Sequence, residues 1–234
     1  IHLSCNMKTI VILQPGYLPW LGFFDQLYNA DVFVYYDDVP YDKQGWRNRN
    51  RIKSRSGIQW LTVPVLTTGR FGQLNNEVEI DQRKGWTRKH IITIKQSYAK
   101  SPFIKEYLPE LEDALQQNWQ YLIDLNKYLV EMVCRWLNIK TEIVNSSALN
   151  IHGQRSERLL KICQHFNATH YLSGDAAQNY LDEGLFNKNK VNILWQNFQH
   201  PVYKQCHESF EPYLSIIDLV FNEGKRSKLV LKGN

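Results

Sequence analysis

The first forty residues alternate between short apolar runs and one amphipathic segment. Residues 8–13 (KTIVIL) and 31–39 (DVFVYYDDV) are rich in β-branched and aromatic residues, which is typical of buried strands. Residues 20–30 lie between them and carry apolar side chains at helical spacing. A strand, a helix and a strand in this order form a βαβ unit with parallel strands. We therefore expect an α/β fold with a mostly parallel sheet flanked by helices.

The rest of the chain continues the mixture of strands and helices. The same patterns predict further strands over residues 58–66, 75–81, 141–147, 168–174 and 191–198. They predict helices over residues 85–100, 103–138, 156–167, 175–186 and 215–224.

Two of these helical regions carry boundary signals. Pro109 is expected to start a new helix within 103–138, because proline favours the first helical position. The last helix should begin after Ser215, with Asp218 three residues on, and end at Gly224.

The chain has no internal repeat and no clear linker. We expect a single α/β domain over residues 7–224, with a helical segment around 85–140. Residues 1–6 precede Met7 and are expected to be an upstream extension. Residues 225–234 are expected to form a flexible basic tail.

Composition narrows the class of protein. Hydrophobic residues make up 43% of the chain, enough for a sizeable core, and the net charge is 28 − 23 = +5. The four cysteines form no C-x-x-C pair, so we expect reduced thiols rather than a disulfide framework. No apolar run approaches the ~20 residues of a membrane span. We therefore expect no membrane span and a cytoplasmic location. The sequence does not specify an oligomeric state.

Cations occupy every second position between residues 47 and 55. They are Arg47, Arg49, Arg51, Lys53 and Arg55. In an extended strand these side chains share one face. One interpretation is a solvated face. The other is a cradle, formed by Arg47, Arg49 and Arg51, for a phosphate, a diphosphate or a nucleic-acid backbone, because guanidinium groups donate paired hydrogen bonds to phosphate oxygens.

Two glycine-containing turns follow predicted strands. The first contains Gln14, Pro15 and Gly16, and the second is Ser173-Gly174-Asp175. Ligands of α/β sheets bind outside the carboxyl ends of strands, where glycine lets the backbone approach closely. Ordinary shaping of a βα loop explains the same residues equally well. Asp175 either binds ligand or, as the cap of its helix, accepts from a backbone N–H.

Acid and base candidates lie near the end of the second strand and in residues 198–214. Asp38, among the acids Asp37, Asp38 and Asp42, is a candidate general base or a salt-bridge partner of Arg47 or Arg49. His200 is a second candidate general acid or base. His90 and His170 are expected to be structural. We predict no metal site, because Cys206 and His207 are adjacent and face differently in regular structure.

Several unusual motifs resemble one family. They are QPGYLPWLGFFDQL (14–27), WRNRNRI (46–52), WLTVPV (60–65), THYLSGDAAQNYL (169–181) and FQHPVYKQCHESFEPYLSIIDLVFNEG (198–224). Together they resemble the WbqC-like family, which is named from bacterial O-antigen and surface-polysaccharide gene clusters. The match runs from about Met7 to Gly224. The strand–loop–helix–strand start also resembles nucleotidylyltransferase-like enzymes, but PWLGF (19–23) lacks both histidines of their H-x-G-H element.

These resemblances imply a transferase of surface-polysaccharide (lipopolysaccharide) biosynthesis. It would move an acyl or aminoacyl group, such as glycyl, onto the amine of a nucleotide-linked amino sugar. ATP or an activated donor, on tRNA or an acyl carrier, fits the chemistry, and the residues themselves require no cofactor. We expect Tyr17, Trp20 and Tyr203 to contact the substrate, with Tyr17 and Trp20 stacking on a base or sugar.

Two other functions remain open. The absence of the common catalytic signatures, such as G-x-x-x-x-G-K-[ST] and G-x-S-x-G, favours a non-catalytic module that binds a sugar nucleotide or a protein partner. The arginine row is also compatible with nucleic-acid binding, although a net charge of +5 gives little support to it.

Overall fold

The computed structural model describes residues 7–233. The strands within that range are β1 (Thr9–Leu13), β2 (Val32–Tyr35), β3 (Arg49–Ser54), β4 (Gly57–Thr62), β5 (Glu142–Asn145), β6 (His170–Ser173) and β7 (Asn192–Trp195). The helices are α1 (Leu21–Tyr28), α2 (Trp86–Ser97), α3 (Ile104–Gln116), α4 (Leu122–Trp136), α5 (Arg155–His165), α6 (Glu183–Lys188), α7 (Ile216–Glu223) and α8 (Ser227–Leu231). The predicted upstream extension, residues 1–6, lies outside the described residues.

The chain divides into two compact units, and neither is a continuous stretch of sequence. The first unit contains the segment that ends at Gln14, together with residues 26–37 and 140–198. The second contains residues 15–25, 38–139 and the segment from Gln199 onward. The prediction of one domain over 7–224 did not anticipate this division.

The first unit is built on a five-stranded sheet in the order β5-β2-β1-β6-β7. All four pairings are parallel, with Val11 of β1 opposite Phe33 of β2 and Ile10 opposite Tyr171 of β6. The prediction of an α/β fold with a parallel sheet is confirmed. The chain builds outward from β1 through β2 to β5, and then returns to the other side of β1 with β6 and β7.

Alternate residues of the central strands form the core of this unit. Ile10, Ile12, Val32 and Val34 are buried on one face of the sheet and pack with Ile162 of α5 in a single apolar cluster. Burial of one such side chain stabilises the fold by about 1.5–3 kcal/mol. Parallel strands covered by helices in this way explain the nearly continuous apolar runs in the sequence.

The second unit combines the antiparallel hairpin β3–β4 with helices α2, α3, α4, α7 and α8. In the hairpin, Arg49 lies opposite Thr62 and Ser54 lies opposite Gly57. The predicted helix over 215–224 is confirmed, because Ser215 accepts from the N–H of Ile217 and Gly224 ends the helix with φ 54°. Asp218 does not take part in the cap, since its carboxylate is buried and accepts from two tyrosines.

The prediction of a strand over residues 75–81 is wrong. Residues Asn75–Glu77 form a 3₁₀ turn, in which the Glu77 carboxylate accepts from the backbone N–H of Leu74 at 2.8 Å. This local hydrogen bond favours the turn over a strand ladder. Extended pairing in the segment is limited to isolated bridges, such as Val65 with Ile80.

The boundary predicted at Pro109 is also wrong, because Pro109 lies inside α3. The break comes after Gln116, where Gln117 adopts an extended conformation. The indole N–H of Trp119 donates to the carbonyl of Ala114 at 2.7 Å and satisfies one acceptor of the helix end. The end of α3 is therefore set by a residue beyond the helix, Trp119, and not by Pro109.

Two other segments differ from their predictions. Residues 175–186 are not one helix: a 3₁₀ turn, Asp175–Asn179, is followed by α6, which Asp182 caps by accepting from the N–H of Leu185. Within the described residues, the segment predicted as a flexible basic tail, 225–234, contains regular structure. It forms α8, and Leu231 is buried there, so that an apolar contact holds the helix in place.

Candidate functional site

The proline- and glycine-rich loop after β1 is tied to the arginine segment within the second unit. The side-chain amide of Asn50 donates to the carbonyl of Leu18 at 2.8 Å, and Arg47 donates to the carbonyl of Pro15 at 3.5 Å. A β-carbon on Gly16 would lie 3.1 Å from the carbonyl oxygen of Trp46, so a side chain is poorly tolerated there. The loop is shaped to offer its carbonyl oxygens to this segment.

The five alternating cations do not form one solvated row. Only Arg49, Arg51 and Lys53 lie on the regular part of β3 and share a face. Lys53 is buried, and its ammonium donates to Gln205 Oε1 and to backbone carbonyls of the 205–209 segment. Arg55 lies in the exposed turn. The strand therefore leaves two half-buried guanidinium groups on its open face.

Each of these guanidinium groups lies over an exposed tryptophan. Arg49 stacks on Trp60 with 5.0 Å between the guanidinium carbon and the ring centroid, and Arg51 stacks on Trp46 at 5.5 Å. The two indole rings are 5.1 Å apart. Trp46 is 45% exposed and Trp60 is 49% exposed, which is unusual for so large an apolar ring. We call these four residues the arginine–tryptophan surface.

Backbone carbonyls hold both guanidinium groups, but no acid neutralises them. Arg49 donates to the carbonyl of Gln44 at 2.8 Å and Arg51 donates to that of Tyr213 at 3.2 Å. Within residues 7–233, neither has a carboxylate oxygen within 4.0 Å. The Nε–H group of each is shielded from solvent and makes no hydrogen bond. The surface therefore presents two localised positive charges that no carboxylate neutralises.

The acidic turn of residues 41–45 lies beside these arginines. Burial and then the carboxylate of Asp42 raise the pKa of Tyr41 to about 12, with the charges of Arg49 and Arg47 opposing the shift. A β-carbon on Gly45 would lie 2.8 Å from the Asp42 carboxylate, so the turn is closely packed. Asp42 itself accepts from a backbone N–H within the turn at 2.9 Å.

His200 is held by both of its ring nitrogens. Nδ1 lies 2.9 Å from the carbonyl oxygen of Pro201, which can only accept, so Nδ1 carries the proton. Nε2 accepts from the backbone N–H of Tyr213 at 3.0 Å. Partial burial lowers the pKa of His200, with the Pro201 carbonyl opposing this effect. In this arrangement His200 positions Tyr213, whose ring lies 5.6 Å from that of Trp20.

Two tyrosines predicted to contact substrate are core residues instead. Tyr17 is fully buried, and its hydroxyl donates to Nδ1 of His90 at 2.8 Å. Tyr203 is buried and donates to the carboxylate of Asp218 at 2.7 Å, as Tyr98 does at 2.9 Å. Sequence reasoning missed this because aromatic residues serve both as core and as ligand platforms, and only packing separates the two roles.

The neighbouring aspartates 37 and 38 differ in their surroundings. Asp37 ends the β2 segment of the first unit, and its carboxylate accepts from the hydroxyl of Ser146 and from both the N–H and the hydroxyl of Ser147. These bonds satisfy Asp37 structurally. Asp38 begins the next segment of the second unit and is half-buried. Its role as the candidate base stays a prediction.

The remaining predicted residues lie at the carboxyl edge of the sheet in the first unit. Gln14 follows β1 directly, and Ser173 ends the neighbouring strand β6. Asp175 does not cap its turn: Gly174 occupies the cap position, and the Asp175 carboxylate accepts from the backbone N–H of Asn197 at 3.1 Å. Each turn thus follows a strand, as the sequence suggested, and the structure shows that these strands, β1 and β6, are neighbours in the sheet.

The candidate site residues that sequence reasoning missed are the two tryptophans. Trp60 lies directly opposite Arg51 in the hairpin register. Pairing residues 58–62 antiparallel with residues 49–53 would have placed Trp60 on the same face as the arginines, because opposite residues of an antiparallel pair share a face. Trp46 gave a weaker signal, since it lies outside regular structure.

Metal, thiol and membrane chemistry give no further candidate. In the described part of the chain, no group of three or more histidine, cysteine or acidic side chains is placed to hold a metal ion. Cys134 and Cys163 are buried free thiols, and burial raises the pKa of each to about 12. No helix between residues 7 and 233 has the length and apolar character needed to cross a membrane.

Comparison with known proteins assigns the chain to a family. The model of the WbqC-like protein family matches residues 14–229, nearly the whole sequence. The chain belongs to the WbqC-like family. Among curated relatives, the "Uncharacterized protein Rv1507c" of Mycobacterium tuberculosis is 38% identical over 220 residues, which cover 93% of this chain and 95% of that protein. No solved structure matches the chain.

Proposed function

We propose that this WbqC-like protein is a cytoplasmic transferase of surface-polysaccharide biosynthesis. It binds a nucleotide-linked amino sugar and moves an acyl or aminoacyl group, such as glycyl, onto the sugar amine. The observation that carries the proposal is the arginine–tryptophan surface. Two positive guanidinium groups without acidic partners favour an anion, and two exposed indole rings favour a planar base or a sugar face.

The spacing of the two arginines suits a diphosphate. Arg49 and Arg51 are two residues apart on one strand, which separates their α-carbons by about 6.5–7 Å. The non-bridging oxygens of two linked phosphates fit between side chains that start at this distance. The guanidinium group of each arginine would donate to one phosphate. Binding would place the base or sugar next to Trp46 or Trp60.

Asp38 is the general base in this proposal. The amine nitrogen attacks the carbonyl carbon of the donor, a C–N bond forms, and the bond to the donor oxygen or sulfur breaks. The proton of the resulting ammonium passes to the Asp38 carboxylate, which then gives it to the leaving oxygen or sulfur. His200 is less suited to this role, because its basic nitrogen already accepts from Tyr213.

Calorimetric titration with an amino-sugar nucleotide tests the binding step. Arg49→Ala should weaken binding by about tenfold to a hundredfold, since a hydrogen bond to a charged group is worth about 1.5–3 kcal/mol. The affinity of Arg49→Lys should lie between those of Arg49→Ala and the wild type, because lysine keeps the charge but not the forked donor. Arg55→Ala removes the same charge from the exposed turn and should bind like the wild type. Equal affinity for Arg49→Ala and Arg55→Ala would refute the phosphate cradle.

Mass spectrometry of the reaction mixture tests the transfer step. The protein is incubated with an amino-sugar nucleotide and a panel of acyl-CoA, acyl-carrier and aminoacyl-tRNA donors. An amide product that is lost with Asp38→Asn, while nucleotide-sugar affinity is retained, supports the assignment of the base. Tight binding without product from any donor would favour the alternative, a non-catalytic sugar-nucleotide module of the same pathway.

A further inference from the structure

We infer that the carboxyl edge of the first unit's sheet, between β1 and β6, binds a sugar ring through its hydroxyl groups. The sheet order reverses there, because the chain leaves β1 toward β2 on one side and continues from β6 to β7 on the other. In open parallel sheets, such a reversal leaves a crevice outside the carboxyl ends of the strands. Topology alone defines only the place.

A buried side chain with an unmet hydrogen bond marks this place. Gln26 of α1 is only 4% exposed, and its Nε2 donates to Oε1 of Gln196 at 2.7 Å. Gln196 follows β7 directly. The carbonyl oxygen of Gln26 is sealed from solvent and has no hydrogen-bond partner. A buried acceptor without a partner costs free energy, so a ligand that donates a hydrogen bond to it removes this cost and gains affinity.

Gly174 leaves room beside that amide. A β-carbon on Gly174 would meet Gln26 Nε2 at 3.5 Å, an ordinary contact, and no other atom within 4 Å. The backbone at Gly174 has φ −69° and ψ 150°, which any residue adopts. Glycine is therefore not required by the chain itself at this position. The space next to the backbone at the end of β6 is consistent with close approach of a ligand.

The groups around this space select a hydroxyl-bearing ligand rather than an anion. The Gln26 amide beside Gly174 carries an acceptor that has no partner, and Asp175 offers a carboxylate that uses one oxygen on the N–H of Asn197. Both are acceptors, and the negative charge of Asp175 disfavours a phosphate. Two neighbouring hydroxyls of a sugar ring supply matching donors. The sugar is either the ribose of a nucleoside or a hexose, and these two sources share the same chemistry.

Saturation-transfer NMR with two phosphate-free probes, uridine and methyl N-acetylglucosaminide, tests the inference. We expect saturation of the ring protons of one probe, which identifies the source of the sugar. Gly174→Val should fill the space, and Gln26→Met should remove the carbonyl. Gln26→Met should weaken binding about tenfold, the equivalent of one lost hydrogen bond, and Gly174→Val should weaken it by excluding the sugar ring. Gly184→Ala, a matched glycine substitution in α6 of the same unit, should bind like the wild type.

Two outcomes would overturn the inference. One is that neither probe shows saturation at millimolar concentration. The other is that Gly174→Val and Gln26→Met bind as the wild type does, with melting temperatures that confirm folding. The inference takes from the proposed function only the expectation that a substrate carries a sugar, and its probes carry no phosphate. Failure of the Arg49 experiment alone therefore leaves it standing, and its own failure leaves the phosphate cradle standing.

Discussion

The buried histidine of the second unit makes the stability of the protein depend on pH in a calculable way. His90 is 6% exposed, and its Nε2 lies 3.1 Å from the carbonyl of Thr62. A carbonyl can only accept, so Nε2 carries the proton, and Nδ1 accepts from the hydroxyl of Tyr17. The neutral ring is fully satisfied in this arrangement. Burial accordingly lowers the pKa of His90 from 6.5 to about 4, with the Thr62 carbonyl opposing the effect.

The sign and size of the effect follow from proton linkage. As the pH falls below 6.5, the unfolded chain binds a proton at His90, but the folded chain does so only near pH 4. The folded state therefore loses stability over this interval. With these two pKa values, the loss between pH 7 and pH 5 is about 2 kcal/mol, approaching about 3 kcal/mol below pH 4.

Urea unfolding followed by circular dichroism at several pH values measures this loss. His90→Gln keeps a donor for Thr62 but cannot titrate, so its free energy of unfolding should start lower and fall about 2 kcal/mol less between pH 7 and pH 5. His152→Gln removes an exposed histidine and should keep the wild-type slope. Parallel slopes for the wild type and His90→Gln would show that His90 is not held neutral by burial.

Two further predictions concern particular contacts. Gly224→Ala should destabilise the fold by about 2–4 kcal/mol in urea unfolding, because its β-carbon would lie 2.6–2.8 Å from the ring of Phe103 in a backbone with φ 54°. Gly72→Ala has φ 70° with nothing within 4 Å, so it should cost only the backbone strain of about 1–2 kcal/mol, and equal losses would exclude the Phe103 clash. In native protein at pH 8, Cys206 should be alkylated well before Cys163, since Cys206 is half-buried and burial raises the pKa of Cys163 to about 12. Peptide mass spectrometry would refute this if both cysteines reacted at one rate.

Much of the candidate site was visible in the sequence as residue types, but not as roles. The arginine segment and the two turns were found because charge alternation and Gly/Pro turns are local patterns. The roles of Tyr17 and Tyr203 were missed because burial depends on residues far away in the chain, His90 and Asp218. Trp60 was missed although its place opposite Arg51 was a usable signal, and Trp46 was missed because it lies outside regular structure.

The sequence by itself determined the parallel βαβ core and the capped helix over 215–224. These features depend on periodicity and caps, whose physics acts over a few neighbouring residues. Only the tertiary structure decided what becomes of the alternating cations. Lys53 is buried under the 205–209 segment. Arg49 and Arg51 lie on the same strand face, but they remain half-buried and contact Trp60 and Trp46. A strand's alternation says which side chains share a face, but segments distant in the chain decide which part of that face is covered.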